Sequence, residues 1–262
     1  EIASCLVGSE MCIRDSLMVR QTLEQDGHIE ETLTRYHEAD DTPFELQPPY
    51  FQLPHVITKR WTLRSDPFKQ RLEQVTTLYD EVGNLIEEVQ PTGIRTRYEY
   101  YSEQGEAGED GICPADPENF KRNLKCITVY PLSGLPGDAP VLRTRLSYKE
   151  YTPLDGKTTP WLAVSEERHL QVMRAGQHDE TEQLLQLTER GYLNEPRNAY
   201  LHGRPDYQTT TRYGAALKDP LRKAMESRTT RTNWHYRKVL DKDWGLEHWR
   251  DTRVFGYDAE PG

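Results

Sequence analysis

One stretch constrains this chain more than any other: L-Y-D-E-V-G-N-L-I-E-E-V-Q-P-T-G-I-R-T-R-Y-E-Y-Y, Leu78 to Tyr101. Ahead of it Val75, Thr77 and Tyr79 alternate with Thr76 and Leu78, the period of two that belongs to a strand. Asp80 is placed to accept hydrogen bonds from the amides of the turn that follows. Gly83-Asn84 supplies residues tolerant of left-handed backbone angles. Together these predict a hairpin. The return strand, Leu85 to Gln90, stops at Pro91, which has no amide to give to a ladder. After Gly93 a third strand puts Ile94, Thr96, Tyr98 and Tyr100 on one face and Arg95, Arg97, Glu99 and Tyr101 on the other. Both faces suit lateral packing between strands, and neither is apolar enough for a thick core.

Composition sharpens this. Hydrophobic residues make up 35% of the 262 and mean hydropathy is -0.86, whereas soluble domains run to about 45–50% apolar when glycine is counted. Such values overlap with disorder, but 15 Tyr and 5 Trp argue against it. A fold that buries tyrosines along a sheet while wetting much of both faces reconciles the two. A formal charge of -10 disfavours a nucleic-acid partner. No run of eighteen apolar residues occurs, so no membrane-spanning segment is expected.

Further strands are predicted at Ile29 to His37, before the acidic loop Glu38 to Asp41 and irregular chain at Gln47-Pro48-Pro49. They continue at Val56 to Arg64, Leu124 to Tyr130, Val141 to Tyr151, Trp161 to Met173, Leu184 to Leu193, Asp206 to Tyr213 and Thr229 to Leu240. Turn signals at Ser133-Gly134, Pro136-Gly137-Asp138, Asp155-Gly156 and His202-Gly203 separate them. Ser102 to Glu118 reads as an exposed loop. Ala215 to Ser227 is the one helical candidate, cut short by Pro220. Many strands with little helix predict an all-β fold of antiparallel hairpin strips.

No catalytic, cofactor-binding or metal-binding residues are expected. Glu103, Glu106, Glu109, Asp110 and Asp116 crowd one segment without an EF-hand spacing, and a solvated acidic loop is the simpler account. Adjacent Glu166 and Glu167 point to opposite faces of a strand and make no acid–base pair. Asp241 and Asp243 fall in an expected turn. The eight histidines form no H-E-x-x-H or Cys-His cluster, and no G-x-S-x-G, Walker or dinucleotide motif is present. Cys113 and Cys126 have no zinc spacing, and Cys126 is expected as a small core residue.

Residues 1–16 stand apart. Cys5 to Ser16, C-L-V-G-S-E-M-C-I-R-D-S, resembles a translated sequencing adapter, so Glu1 to Ser16 is expected to be an artefact and residues 17–262 the native piece. Arg253 to Gly262 begins a second Tyr-Asp unit at Tyr257-Asp258, and the chain is expected to be truncated at both ends.

The Tyr79-Asp80…Gly83-Asn84 unit resembles the tyrosine-aspartate (YD) repeats of Rhs and toxin-complex proteins. Gly137 to Arg145, Pro160 to Val164 and Leu201 to Arg204 also look like stretches of Rhs proteins related to the C component (TcC-like) of bacterial insecticidal toxin complexes. The resemblance implies hairpin strips that spiral into a hollow shell around a C-terminal polymorphic toxin. It makes Tyr79, Asp80, Gly83, Asn84, Tyr98, Tyr100, Tyr257 and Asp258 repeat-defining residues with a structural role. It implies no enzymatic activity and no cofactor in this segment. The implied partners are the toxin domain of the same longer protein and neighbouring repeats or a TcB-like subunit, in a protein exported from a bacterium. The family's D-P-x-G self-cleavage motif does not occur, so neither the protease nor the toxin part is expected here. Two rivals remain open: a surface adhesion or carbohydrate-binding β-module, which an exposed tryptophan row would favour, and a β-fold glycosidase, which needs two facing carboxylates.

Overall fold

The computed structural model describes residues 17, 19–39, 42–132, 139–173, 180–213, 227–239 and 242–256, with backbone alone at 237–239, 242–248 and 255–256. Glu1 to Ser16, Tyr257-Asp258, the turn signals between 133 and 138 and the helical candidate up to Glu226 lie outside them. The fold is all-β, as the alternation predicts, and falls into two units, residues 1–97 and 98–262.

The first unit is an antiparallel meander of β1 (Arg20–Gln25), β2 (His28–Tyr36), β3 (Pro54–Leu63), β4 (Asp66–Tyr79), β5 (Leu85–Val89) and the start of β6 (Arg95–Tyr100). Asp26 and Gly27, at φ 51° and 76°, close β1 onto β2, the two left-handed residues that a two-residue hairpin turn requires. All six residues of β1 are exposed, which is why alternation does not reveal it. β4 is also longer than its pattern: where it passes β3, Thr62 opposes Gln70 and Leu63 opposes Asp66. Pro67 sits in that irregularity, where no ladder amide is needed.

The second unit continues from the end of β6 to β9 (Leu124–Tyr130), β10 (Val141–Tyr151), β11 (Trp161–Met173), β12 (Thr181–Tyr192), β13 (Pro205–Arg212), β14 (Arg228–Val239) and β15 (Lys242–Gly256), each beside the next. The predicted bounds of β9, β10 and β11 coincide with the observed ones. β15 is an addition, and it takes in Asp243, expected in a turn. A small hairpin, β7 (Glu106–Gly108) with β8 (Gly111–Cys113), interrupts the meander.

That hairpin corrects the reading of Ser102 to Glu118 as an exposed loop. Gly111, Cys113 and Asp116 within it are buried, because the segment folds over Tyr101, whose relative exposure is 0%. Among the described residues the buried hydrophobic set is short: Val56, Tyr101, Cys113, Cys126, Tyr151, Leu170, Val172 and Leu201. Thr77, Thr96, Thr128 and Thr188 are buried beside them. Cys126 is the core residue its alternation predicts. Apolar surface buried in so small a set cannot by itself hold a sheet of this breadth, so hydrogen-bonded ladders and cross-strand pairs carry much of the cohesion.

Candidate functional site: the hairpin unit and its aromatic contacts

Asp80 organises the turn after β4. Its Oδ1 accepts the amides of Val82 (3.1 Å) and Asn84 (2.9 Å), and its Oδ2 accepts the Asn84 side-chain amide (3.3 Å). The backbone closes with Asp80 N–H donating to Asn84 O (2.9 Å) and Gly83 N–H to Asp80 O (3.0 Å). Gly83 alone takes the left-handed conformation, at φ 89°. Ten residues on the same pattern recurs: Gln90 N–H donates to Ile94 O (2.9 Å), Gly93 N–H to Gln90 O (2.8 Å), and Gly93 has φ 82°. D-E-V-G-N and Q-P-T-G-I thus build one turn twice, with Pro91 where no amide is called on. Thr77 and Thr96, both buried, flank Glu88 across the three strands.

Tyr79 packs edge-on against His37, ring centres 5.6 Å apart. Tyr98 and Tyr100 belong to the second unit and are half-buried and engaged. The alternation places Tyr101 on the Arg/Glu face, yet it is the best-packed tyrosine. Its phenol donates to Leu146 O at 2.7 Å, and Tyr148 meets it edge-on at 6.0 Å. Gly111 makes room, because a Cβ there would lie 2.2 Å from the Tyr101 hydroxyl. Burial first, then the neighbouring Cys113, Glu106 and Tyr148, push the phenol up to about 12. Burial, then Cys113, does the same to Tyr148, also to about 12. Burial, then Asp116 and Glu106, raises the Cys113 thiol to about 11.

Asp116 is the hub of the same segment. Its Oδ1 accepts the amides of Glu118 (3.0 Å) and Phe120 (3.2 Å), and its Oδ2 accepts Arg122 Nε (2.8 Å) and Asn123 Nδ2 (3.2 Å). Burial acts to raise its pKa, but these donors outweigh it and hold the carboxyl below its ordinary value. Two other acids of the segment are in ion pairs: Glu106 with Lys125 (2.5 Å) and Asp110 with Arg145. Among the described residues no group of three His, Cys, Asp or Glu is placed to hold a metal ion. Glu166 pairs with Arg168, and Glu167 with Arg190 and His169, so the adjacent acids serve separate ion pairs.

The second aromatic cluster was not legible in the sequence. Tyr151 and Trp161, directly opposed on β10 and β11, stack at 4.6 Å. Tyr192 stands edge-on to both at 5.8 Å, and the Trp161 indole donates to His202 Nε2 at 3.1 Å. The turn at Gly203 (φ 79°) places His202 there. On β12 and β13, Gly191 opposes Tyr207, and a Cβ on it would lie 2.2 Å from that ring. The Arg231 guanidinium lies over the Tyr207 ring, 4.7 Å from its centre. The tryptophans make no exposed row among the described side chains. Trp61 and Trp234 are half-buried, Trp161 is packed as above, and Trp249, 50% exposed, stacks on His235 at 3.7 Å.

No helix among the described residues is long and apolar enough to cross a membrane. No protein-family model matches the chain. No curated protein matches it in sequence. Among solved structures it is similar to a chain of TcdB2-TccC3, at 14% identity and a TM-score of 0.35 over 90% of this chain, and to one of TcdB2-TccC3-Cdc42, at 14% and 0.36 over 87%. This chain spans 13% and 12% of the length of those chains.

Proposed function

We propose that this chain is a wall segment of an exported Rhs/YD-repeat protein of the toxin-complex kind, part of a β-built shell around a toxin domain of the same longer polypeptide, and that the segment itself is not catalytic. The observation that carries this reading is the placement of the aromatic rings. Tyr79, Tyr101, Tyr151, Tyr192 and Tyr207 each pack against a neighbouring strand or the loop beside it, where they tie hairpin to hairpin. A sheet with so few buried aliphatic side chains and ion pairs along its faces offers a cargo little apolar surface on which to collapse. Neighbouring repeats, or a TcB-like subunit, would cover the strand edges that such a segment leaves open.

Protease treatment of the full-length protein tests this reading. The toxin domain should resist digestion in the intact protein and become sensitive when Gly111→Val opens the packing around Tyr101. Equal digestion of the toxin domain in both proteins contradicts enclosure.

A further inference from the structure

Three arginine pairs face each other in register among the described strands of the second unit: Arg145–Arg168, Arg231–Arg253 and Arg212–Arg228. Like charges directly opposed on one face of a sheet destabilise it. Two of the pairs are relieved. Arg145 pairs with Asp110 and Glu182, and Arg168 with Glu166. Arg253 pairs with Asp251, while Arg231 bonds Asn233 and lies over the Tyr207 ring. The third pair has no such relief. Arg212 Nε donates to the neutral Gln186 side chain at 3.2 Å, and Arg228 has no hydrogen bond or ion pair among the described residues.

The strands around this pair read Q-T-T-T-R, Gln208 to Arg212, and R-T-T-R-T, Arg228 to Thr232. A period of two sends Gln208, Thr210 and Arg212 to the face that carries Arg228, Thr230 and Thr232. These residues line a groove of about 370 Å³, with Thr210 opposite Thr230 and Gln208 opposite Thr232. Every lining residue is polar, and the charges among them are the two positive ones. Hydroxyls rotate to donate and a side-chain amide donates through its nitrogen, so the whole lining can present hydrogen to a ligand.

We propose that this groove binds a small hydrophilic molecule carrying a phosphate or sulfate ester, with the oxyanion held between Arg212 and Arg228. A guanidinium presents its N–H groups as a planar fork, which matches two oxygens of such an anion and makes charge-assisted bonds to them. Two opposed forks engage one tetrahedral anion together. The anion then supplies the negative charge that Asp110, Glu182, Glu166 and Asp251 supply at the other two pairs, and it offsets the repulsion between the guanidiniums. Gln208, Thr210, Thr230 and Thr232 meet the rest of the ligand. The groove falls within the range of about 300–1,000 Å³ found for small-molecule sites, and its lining offers nothing for an apolar group to pack against.

Calorimetric titration of the full-length protein with inorganic phosphate, sulfate and acetate, at neutral pH and fixed ionic strength, tests the site. Wild type should bind phosphate and sulfate saturably, and whichever binds tighter identifies the ester. Acetate, a monoanion with two oxygens, cannot fill both forks and should bind about tenfold more weakly or worse. Arg212→Gln and Arg228→Gln each remove one fork and should weaken binding of both tetrahedral ions by about tenfold or more. Without added phosphate or sulfate, Arg228→Gln should melt no lower than wild type, because it removes a repulsion; phosphate should raise the melting temperature of wild type alone. Arg228→Lys keeps the charge without the fork and reads the same loss of binding if a glutamine variant does not fold. Wild type that binds neither phosphate nor sulfate overturns the proposal. So does a folded variant that binds them as wild type does, or acetate bound as tightly as either.

Discussion

The phenol of Tyr101 donates to the carbonyl of Leu146 at 2.7 Å, bridging 45 residues of sequence. It does so at full burial, under a segment whose Gly111 leaves just enough room for the hydroxyl. Tyr101→Phe should cost about 1 kcal/mol, the net worth of one hydrogen bond with its acceptor left unpaired. Gly111→Ala should cost more, about 2–3 kcal/mol, because its Cβ would meet both that hydroxyl and Leu146 O at a φ of 151°. Urea unfolding of the two variants orders them, and equal costs would deny the close fit.

The Asp80 turn makes a separate prediction. Asp80→Ala removes the carboxylate oxygen that accepts the Val82 and Asn84 amides and should cost about 1–2 kcal/mol. Gly83→Ala forces a side chain into φ 89° and should cost about 1 kcal/mol, with Gly83→Asn milder. Thermal melts of all three check the order.

Alkali should loosen the second unit. Tyr101 and Tyr148 rise from 10.0 to about 12 and Cys113 from 9.0 to about 11 on folding. Groups raised in this way stabilise the fold below their unfolded values, and that stability is lost as pH climbs through the folded ones. Stability should therefore fall from about pH 9 upward, and Cys113 should resist alkylation at about pH 8 until the chain unfolds. Ready labelling of native Cys113 would contradict its burial.

Acid acts through Asp116. Its carboxyl is held below 3.8, so its stabilisation is present above that value and lost as pH falls through the folded one. Asp116→Asn should cost about 2–3 kcal/mol at neutral pH, because a charged acceptor of four donors is replaced by a neutral amide. It should also flatten the acid limb of the stability–pH curve. A variant with an unchanged acid limb would show that Asp116 is not its source.

Much of this fold can be read from alternation. β9, β10 and β11 carry period-two patterns, and β10 lies between clear turn signals, so its ends are sharp. The Asp80 turn is legible because its chemistry is local: donor, acceptor and left-handed glycine lie within five residues. β1 is not, since R-Q-T-L-E-Q is exposed throughout and owes its extension to pairing; Asp26-Gly27 is the signal that could have found it. The burial of Tyr101 is not legible in the alternation that finds β6, because it comes from a segment that folds back over that residue. The Tyr151–Trp161 stack depends on register, which the sequence of either strand does not specify.

Small-angle scattering from the full-length protein tests the central claim most directly: tyrosines join the hairpins of a thin polar wall that encloses a cargo. The account predicts the distance distribution of a hollow particle, with a central region of low density. A solid, compact particle of the same mass, with no internal void, would contradict it.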